Sequence, residues 1–333
     1  MDLNQKLADF KIAAIVTNYN GGKDTISCIE SLLRSELPLR WIFVIDNNSP
    51  DNSIELIKKW AAGEYELEDK QWPALNSSLS QKPLPMQIID EHNDEINFTE
   101  HNIDQQLVLV CGKKNRGYAG ANNIGLKLGL KLNADAFWIL NNDTIVHPKA
   151  SQALANRALR SDCPGIVGCC IRYMKYPEFV QCCAGGYTNK WTMLSSMFGQ
   201  TKTLDEVEAF DPDIVEKSIN FIYGASFLVT RQFVDEIGLM DERFFMYCEE
   251  QDWAFRAKNF KLCYAPDAHV LHYEGASTGM NFQNYPLNRL FWLTRSRILL
   301  TSKHFPHHLP VLFLGIGFAA LRLFFRKIKK TVT

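Results

Sequence analysis

The chain has 333 residues, 46% of them hydrophobic, enough for one large α/β domain or two small ones with a sizeable core. Its 36 Lys and Arg balance 37 Asp and Glu to a net charge of -1, which argues against a surface attracted as a whole to nucleic acid. The nine cysteines include the adjacent pairs Cys169-Cys170 and Cys182-Cys183 but no C-x-x-C, so they read as reduced thiols in a cytoplasmic protein rather than as a zinc or disulfide framework.

Residues 1–11 hold no apolar run, so no signal peptide or N-terminal anchor is expected. Residues 12–16 form a buried strand that ends in the polar loop Thr17-Asn18-Tyr19-Asn20-Gly21-Gly22. An amphipathic helix marked by Ile26, Ile29, Leu32 and Leu33 follows. A second strand at 41–45 ends in Asp46-Asn47-Asn48-Ser49, and Asp51-Asn52-Ser53 opens a second helix at 54–60. Strand, helix, strand, helix implies a parallel sheet with right-handed crossovers. Residues 61–106 break the rhythm; their acids, amides, Ser and Pro read as a surface insertion, disordered in part, with a hairpin near 86–90. A third strand at 107–111 precedes Gly112-Lys113-Lys114-Asn115-Arg116-Gly117-Tyr118-Ala119-Gly120 and a helix through Leu132.

A fourth strand, 136–140, stops abruptly in Asn141-Asn142-Asp143. Open α/β sheets bind ligands beyond the carboxyl ends of their strands. A carboxylate there can hold a hard divalent cation, and the cation a diphosphate; the plain alternative is an Asn/Asp turn. Further on, short strands are expected at 165–168, 227–229 and 261–264, and a hairpin within 180–199. Thr230 is placed to cap a helix at 231–237. The acids Glu249-Glu250-Gln251-Asp252 open another helix, where the dipole favours negative charge in any case. His269, His272 and the loop around Gly275 follow.

The tail at 309–325 is apolar except for Arg322, and Arg326-Lys327-Ile328-Lys329-Lys330 closes it. That run is shorter than the ~20 residues of a spanning helix. It reads as an interfacial anchor on an anionic cytoplasmic leaflet, with a packed core helix as the alternative.

Taken in order and spacing, several motifs resemble the family 2 glycosyltransferases of the GT-A fold, especially the bacterial rhamnosyltransferase-like branch. They are Thr17-Asn18-Tyr19-Asn20, Val44-Ile45-Asp46-Asn47-Asn48-Ser49, Asn115-Arg116-Gly117-Tyr118-Ala119-Gly120-Ala121-Asn122-Asn123 and Leu140-Asn141-Asn142-Asp143-Thr144. Gly224-Ala225-Ser226-Phe227, Met240-Asp241-Glu242-Arg243-Phe244-Phe245, Tyr247-Cys248-Glu249-Glu250-Gln251-Asp252 and His272 with Gly275 and Ser277 complete the set. The resemblance covers about residues 12–280 and leaves out the insertion and the tail.

The resemblance implies a mostly parallel mixed sheet flanked by helices in a glycosyltransferase domain over 1–290; the polar insertion at 61–106 and the helical extension over 291–333, membrane-associating or packed on the domain, are read from the residues alone. It implies a metal-dependent inverting transfer from a nucleoside-diphosphate sugar, dTDP-rhamnose first and UDP-sugars next, to a hydroxyl of a saccharide or lipid-linked acceptor in cell-surface polysaccharide synthesis. Asp143 and His272 would hold Mg²⁺ or Mn²⁺; Asn141 stands where the family carries a second acid. The plain reading of His272 is a buried structural histidine, and His269 is its neighbour in competition. Glu250 aligns with the general base, at a position where Asp is commoner. Thr17, Tyr19 and Asp46 would face the base of the nucleotide, and Asn115, Arg116, Gly117, Asn141 and Asn142 the rest of the donor. Gly224, Glu249 and Asp252 would bind the acceptor or support the site. The expected location is the cytoplasm, peripheral on the inner membrane. Two other readings were weighed. A dinucleotide-dependent oxidoreductase lacks its G-x-G-x-x-G after the first strand. A catalytically silent sugar-nucleotide-binding or membrane scaffold protein would not need Asp143, Glu250 and His272.

Overall fold

The computed structural model describes residues 2–67, 80–91, 103, 105–257, 259–273 and 287–318. In chain order these form α1 (Leu3–Asp9), β1 (Ile12–Asn18), α2 (Gly22–Leu33), β2 (Trp41–Asp46), α3 (Ser53–Ala62), β3 (Met86–Asp90), β4 (Leu107–Cys111), α4 (Gly117–Lys131), β5 (Ala136–Asn141) and β6 (Thr144–Val146). Then come α5 (Ala150–Arg160), β7 (Pro164–Tyr173), β8 (Val180–Cys183), β9 (Gly185–Thr188), β10 (Ser195–Met197), α6 (Leu204–Glu208), α7 (Pro212–Ser218) and β11 (Phe221–Ile222). β12 (Ser226–Thr230), α8 (Arg231–Ile237), α9 (Glu249–Arg256), β13 (Lys261–His272) and α10 (Leu287–His304) follow, and residues 309–318 are helical.

The main sheet runs β3-β4-β2-β1-β5-β12-β7-β13-β6, with β8 beside β7. The pairs from β3 to β5 are parallel, as is β7 with β13; β12 lies antiparallel to both β5 and β7. Successive residues of β1 pack into opposite cores. Ile12, Ala14 and Val16 meet Ile26, Ile29, Trp60 and Leu154, whereas Ala13 and Ile15 meet Leu126, Leu128, Phe233 and Trp253. Both faces are therefore covered, and the strands read as unbroken apolar runs. β1, β2, β4 and β5 all point their carboxyl ends to one edge, where the loops named above collect. A small second sheet, β10-β9-β11, lies apart.

Two expectations change. Residues 86–90 are not a hairpin but a parallel edge strand beside β4. Glu30 anchors this part of the insertion: its buried carboxylate accepts hydrogen bonds from Trp60 Nε1, Ser80 and Lys82. The strands expected at 165–168 and 261–264 extend to residues 173 and 272. Ala265-Pro266-Asp267 interrupts the apolar pattern, and Pro lacks a ladder donor, so the pairing shifts register there and resumes at His269. The domain boundary set after residue 290 falls inside α10. Much of 61–106, the Gly275 and Ser277 loop and the basic tail lie outside the described residues.

Candidate active site

The ends of β1, β2 and β5 are stitched together by side chains. Asn18 is fully buried; its Nδ2 donates to Asp46 Oδ2 at 2.7 Å, and its Oδ1 accepts from Thr25 Oγ1 at 2.7 Å and Asn142 Nδ2 at 3.2 Å. The other oxygen of Asp46 accepts from the Ser49 amide at 2.9 Å, and Asp46 is itself fully buried. Asn142 Nδ2 also reaches Thr25 Oγ1 at 3.1 Å and Gly21 O at 3.3 Å, so this amide braces the β1–α2 loop. Thr17 Oγ1 donates to Asn122 Oδ1, while Tyr19 stays exposed.

The loop before α4 is equally self-contained. Asn47 Oδ1 takes the Arg116 amide at 2.8 Å, Asn115 Oδ1 takes the Gly117 amide at 2.9 Å, and Phe245 O takes the Tyr118 amide at 2.8 Å. The Arg116 guanidinium pairs with buried Glu91, whose second oxygen accepts the Lys113 amide. These are the donors the sequence assigned to a diphosphate. In the structure their acceptors belong to the protein, so binding a diphosphate here requires those bonds to break. Gly117 has φ +69°, and a side chain there would strike Phe245 O, which fixes the residue as glycine.

Asp143 and His272 meet at the far end of β5. Their strands bring them together, because β13 pairs with β6 and sets His272 opposite Thr144. His272 Nε2 lies 3.3 Å from Asp143 Oδ1, and both residues are about 95% buried, with 4% and 5% exposure. His272 Nδ1 lies 2.7 Å from Gln181 Oε1, an oxygen that only accepts, so Nδ1 carries the proton. Asn141 Nδ2, a donor, lies 3.5 Å from Nε2 on the other side. Nε2 faces a carboxylate oxygen: protonated, it would ion-pair with Asp143, and unprotonated, it and that oxygen would be two acceptors side by side. Two acceptors at 3.3 Å fit a cation between them: adjacent ligands on a small ion, with bonds of about 2.1 Å, lie about 3 Å apart. Among the described residues no group of three His, Cys, Asp or Glu forms a metal cluster, so these two side chains would share the ion with oxygens from elsewhere.

The acids of α9 have separate fates. Asp252 is fully buried and bound by Arg256 Nε at 3.0 Å, Lys303 Nζ at 2.7 Å and His304 Nε2 at 2.7 Å. Burial pushes its carboxyl up, but the bonds from His304 and Lys303 outweigh that and hold it below the usual range. Of the two roles left open for Asp252, the structure displays support: it locks α10 onto α9. Glu250 has no such cation among the described residues. Burial pushes its carboxyl up to about 7. Glu249, 3% exposed, is pushed up further by burial and then by the Glu250 charge, and its Oε2 has no hydrogen-bond partner. The preceding Tyr247 and Cys248 both have positive φ, 70° and 68°, a backbone state that non-glycine residues hold only under tertiary constraint.

Gly224 joins the two ends of the site. Its neighbour Ala225 accepts the Asn141 amide at 2.9 Å, a side chain on Gly224 would collide with Glu250 Oε1, and its carbonyl accepts from Tyr118 Oη at 2.6 Å. The Tyr118 hydroxyl is pushed well up by burial and then by the charges of Glu250, Glu249 and, more weakly, Asp143. One phenol therefore feels both the acid pair and the metal-type ligand. Sequence reasoning quoted Tyr118 within a motif but gave it no role. It missed Asn18 in the same way, and it missed Gln181, whose signal exists only in the fold.

A mixed, mostly parallel sheet covered by helices on both faces is the arrangement of the GT-A fold, and the comparisons agree on the fold. Residues 13–73 match the family model Glycosyl transferase family 2, and the fold is that of the GT-A glycosyltransferases. It is 23% identical over 257 residues to dTDP-rhamnosyl transferase RfbF of Shigella flexneri, covering 74% of this chain and 80% of the relative. It is 36% identical over 66 residues to N-acetylglucosaminyl-diphospho-decaprenol L-rhamnosyltransferase of Mycobacterium tuberculosis, covering 19% of this chain and 22% of the relative, about a fifth of its length. The crystal structure of GalNAc-T7 with UDP, GalNAc and Mn2+ superposes with TM-score 0.54 at 15% identity, over 88% of this chain and 48% of that one. This last likeness speaks for the fold alone.

Proposed function

We propose that the protein is a metal-dependent inverting glycosyltransferase. It moves a sugar from a nucleoside-diphosphate donor, dTDP-rhamnose or a UDP-sugar, to a hydroxyl of a saccharide or lipid-linked acceptor in cell-surface polysaccharide synthesis. The observation that supports this reading is Asp143 Oδ1 set 3.3 Å from His272 Nε2 at the strand-end edge, with Gly224 packed against Glu250 Oε1 and its neighbour Ala225 taking the Asn141 amide. Asp143 and His272 would hold Mg²⁺ or Mn²⁺, which when bound neutralises charge gathering on the departing diphosphate. Gln181 keeps the His272 lone pair turned to that position. Glu250 takes the proton of the acceptor hydroxyl as its oxygen bonds to the anomeric carbon and the bond from that carbon to the diphosphate breaks on the opposite face. Asp46, Thr17 and Tyr19 would receive the nucleotide base, and Arg116 would leave Glu91 to meet phosphate. The similarity to a dTDP-rhamnosyl transferase supports dTDP-rhamnose as the first donor to test. Peripheral membrane contact through 309–330 belongs to the same reading; among the described residues no helix is long and apolar enough to cross a membrane.

The test is a panel of sugar nucleotides with and without Mn²⁺, read by thermal stability and then by transfer to acceptor. Saturating the true donor at about 100 times its Kd should stabilise the fold by about 2.7 kcal/mol, and only with the cation present. No stabilisation by any member, with or without cation, would sink the reading.

A further inference from the structure

We propose that the 189–194 turn and the helix at 309–318 form one surface that docks on an anionic lipid bilayer, lying on it without crossing it. The helix is built of Leu309, Pro310, Val311, Leu312, Phe313, Leu314, Gly315, Ile316, Gly317 and Phe318, without one polar side chain. Its inner side is accounted for: Leu312 is 3% exposed and joins Met193, Phe244, Cys248 and Leu300 in a small core, with Ile316 packed beside it. Its outer side is not. Val311, Phe313, Leu314 and Phe318 are exposed by 39, 52, 65 and 73%. A helix packed against a domain in water carries polar residues on that side.

The turn continues this face. Trp191 and Leu194 are exposed by 55 and 58%, although the Trp191 ring stacks on His308 at 3.7 Å. His308 Nδ1 donates to Lys190 O at 2.8 Å, and the Lys190 ammonium sits 5.6 Å over the Phe305 ring. Met193, between the two exposed residues, is buried in the shared core. An indole and a leucine side chain beside a lysine suit the headgroup level of a bilayer.

Charge selects the occupant. In a chain of net charge -1, residues 275–333 contain nine Lys and Arg and no Asp or Glu, and residues 179–204 likewise contain two Lys and no acid. An apolar face set within acid-free, basic sequence complements an anionic leaflet, each nearby cation adding to the attraction. A second copy of the chain would bring the same cations against themselves. The surface is also tied to the base-bearing helix. On α10, Arg295 donates to Arg243 O, Ser296 to Met246 O, and Lys303 and His304 hold Asp252. Docking would therefore set α9 at a fixed height above the bilayer.

The test uses the full chain and sedimentation with phosphatidylcholine vesicles, with and without phosphatidylglycerol. The parent should bind the anionic vesicles and lose binding as salt is raised. The paired changes Phe313→Glu with Leu314→Glu, and separately Trp191→Glu with Leu194→Glu, should each weaken binding by about ten-fold or more, since each removes two large apolar groups from the bilayer. Thermal melting and sugar-nucleotide binding, measured on the same variants, should stay at the parent values. That second readout separates this surface from the transferase reading, which can fail while vesicle binding stands. Absence of parent binding to anionic vesicles overturns the proposal. So does parent-like binding by the variants whose fold is intact. A parent that is instead a dimer, split by the same substitutions, assigns the face to a second copy and also overturns it.

Discussion

Two regions of the strand-end edge differ in how far their polar groups are satisfied. Around β1, β2 and α4, Asn18, Asp46, Asn47, Asn115 and Asn142 exchange hydrogen bonds with one another and with the loop amides. Around β6, β13 and α9, Asp143 and His272 face each other at 3.3 Å, Glu249 Oε2 and Gln181 Nε2 have no hydrogen-bond partner, and Glu250 has no cation among the described residues. Buried polar groups are normally paired, because an unpaired one costs about 1–3 kcal/mol. The first region spends its polar atoms on shape. The second holds them in reserve, as the site proposed above would need in order to receive a cation, a phosphate and a proton.

The sharpest way to break this contrast is Glu250→Gln. It keeps the size of the side chain and one oxygen but removes the proton acceptor. Transfer should fall by about 10²–10⁴, the range general-base catalysis supplies, while donor affinity stays within a few-fold. Asp252→Asn is the control two residues along the same helix. It should loosen α10 and lower thermal stability, because it uncouples Arg256, Lys303 and His304, yet leave any properly folded fraction active. Near-parent transfer by Glu250→Gln with a dead Asp252→Asn would mean the base had been assigned to the wrong acid.

Next in size is Asp143→Ala. Losing one charge-stabilising group should cost about 10²–10³ in transfer and most of the cation-dependent donor binding. His272→Ala should cost less, since the carboxylate and the diphosphate remain. Donor and Mn²⁺ titrations on Asp143→Ala that match the parent would dismiss the metal assignment. Gln181→Leu tests the orientation of His272 without touching a ligand. It should weaken Mn²⁺ binding by about 10–100-fold with the fold intact, the usual effect of removing a residue that orients a metal-binding histidine. A purely structural Gln181 would change the melting temperature and leave the Mn²⁺ titration alone.

The strand pattern of the first half was legible in the sequence because buried parallel strands are unbroken apolar runs, and 12–16, 41–45, 107–111 and 136–140 are such runs. Asp143 was legible because it is the acid that ends the last of them. The length of β13 was not, since Pro266 and Asp267 look like a stop when they are a bulge, and with it went the pairing that sets His272 beside Thr144. The partners of Asp252 were illegible for a different reason. Lys303 and His304 lie some fifty residues on, and no local period links them to α9. A sequence likewise does not separate Glu250 from Asp252, two acids within one helical turn; only the cations packed around one of them do.

The smallest expected effect reads that separation through pH. The Glu250 carboxyl is raised from 4.5 to about 7 by burial, so between those values the folded chain keeps a proton that the unfolded chain has lost. Folding stability therefore falls as pH rises through that window, and above it the native state carries the cost of a desolvated charge. Asp252 works in the opposite sense: its carboxyl is held below the usual range, so its contribution is present at neutral pH and fades only in acid. Glu250→Gln removes the first term and leaves the second. The variant should melt at the same temperature as the parent near pH 4, then at progressively higher temperature as pH rises to 8. Transfer by the parent should rise over the same interval, because the deprotonated carboxylate is the working base. A melting difference that stays flat from pH 4 to 8 would show that Glu250 ionises in the folded protein as it does in water, and the contrast between the two acids of α9 would lose its physical basis.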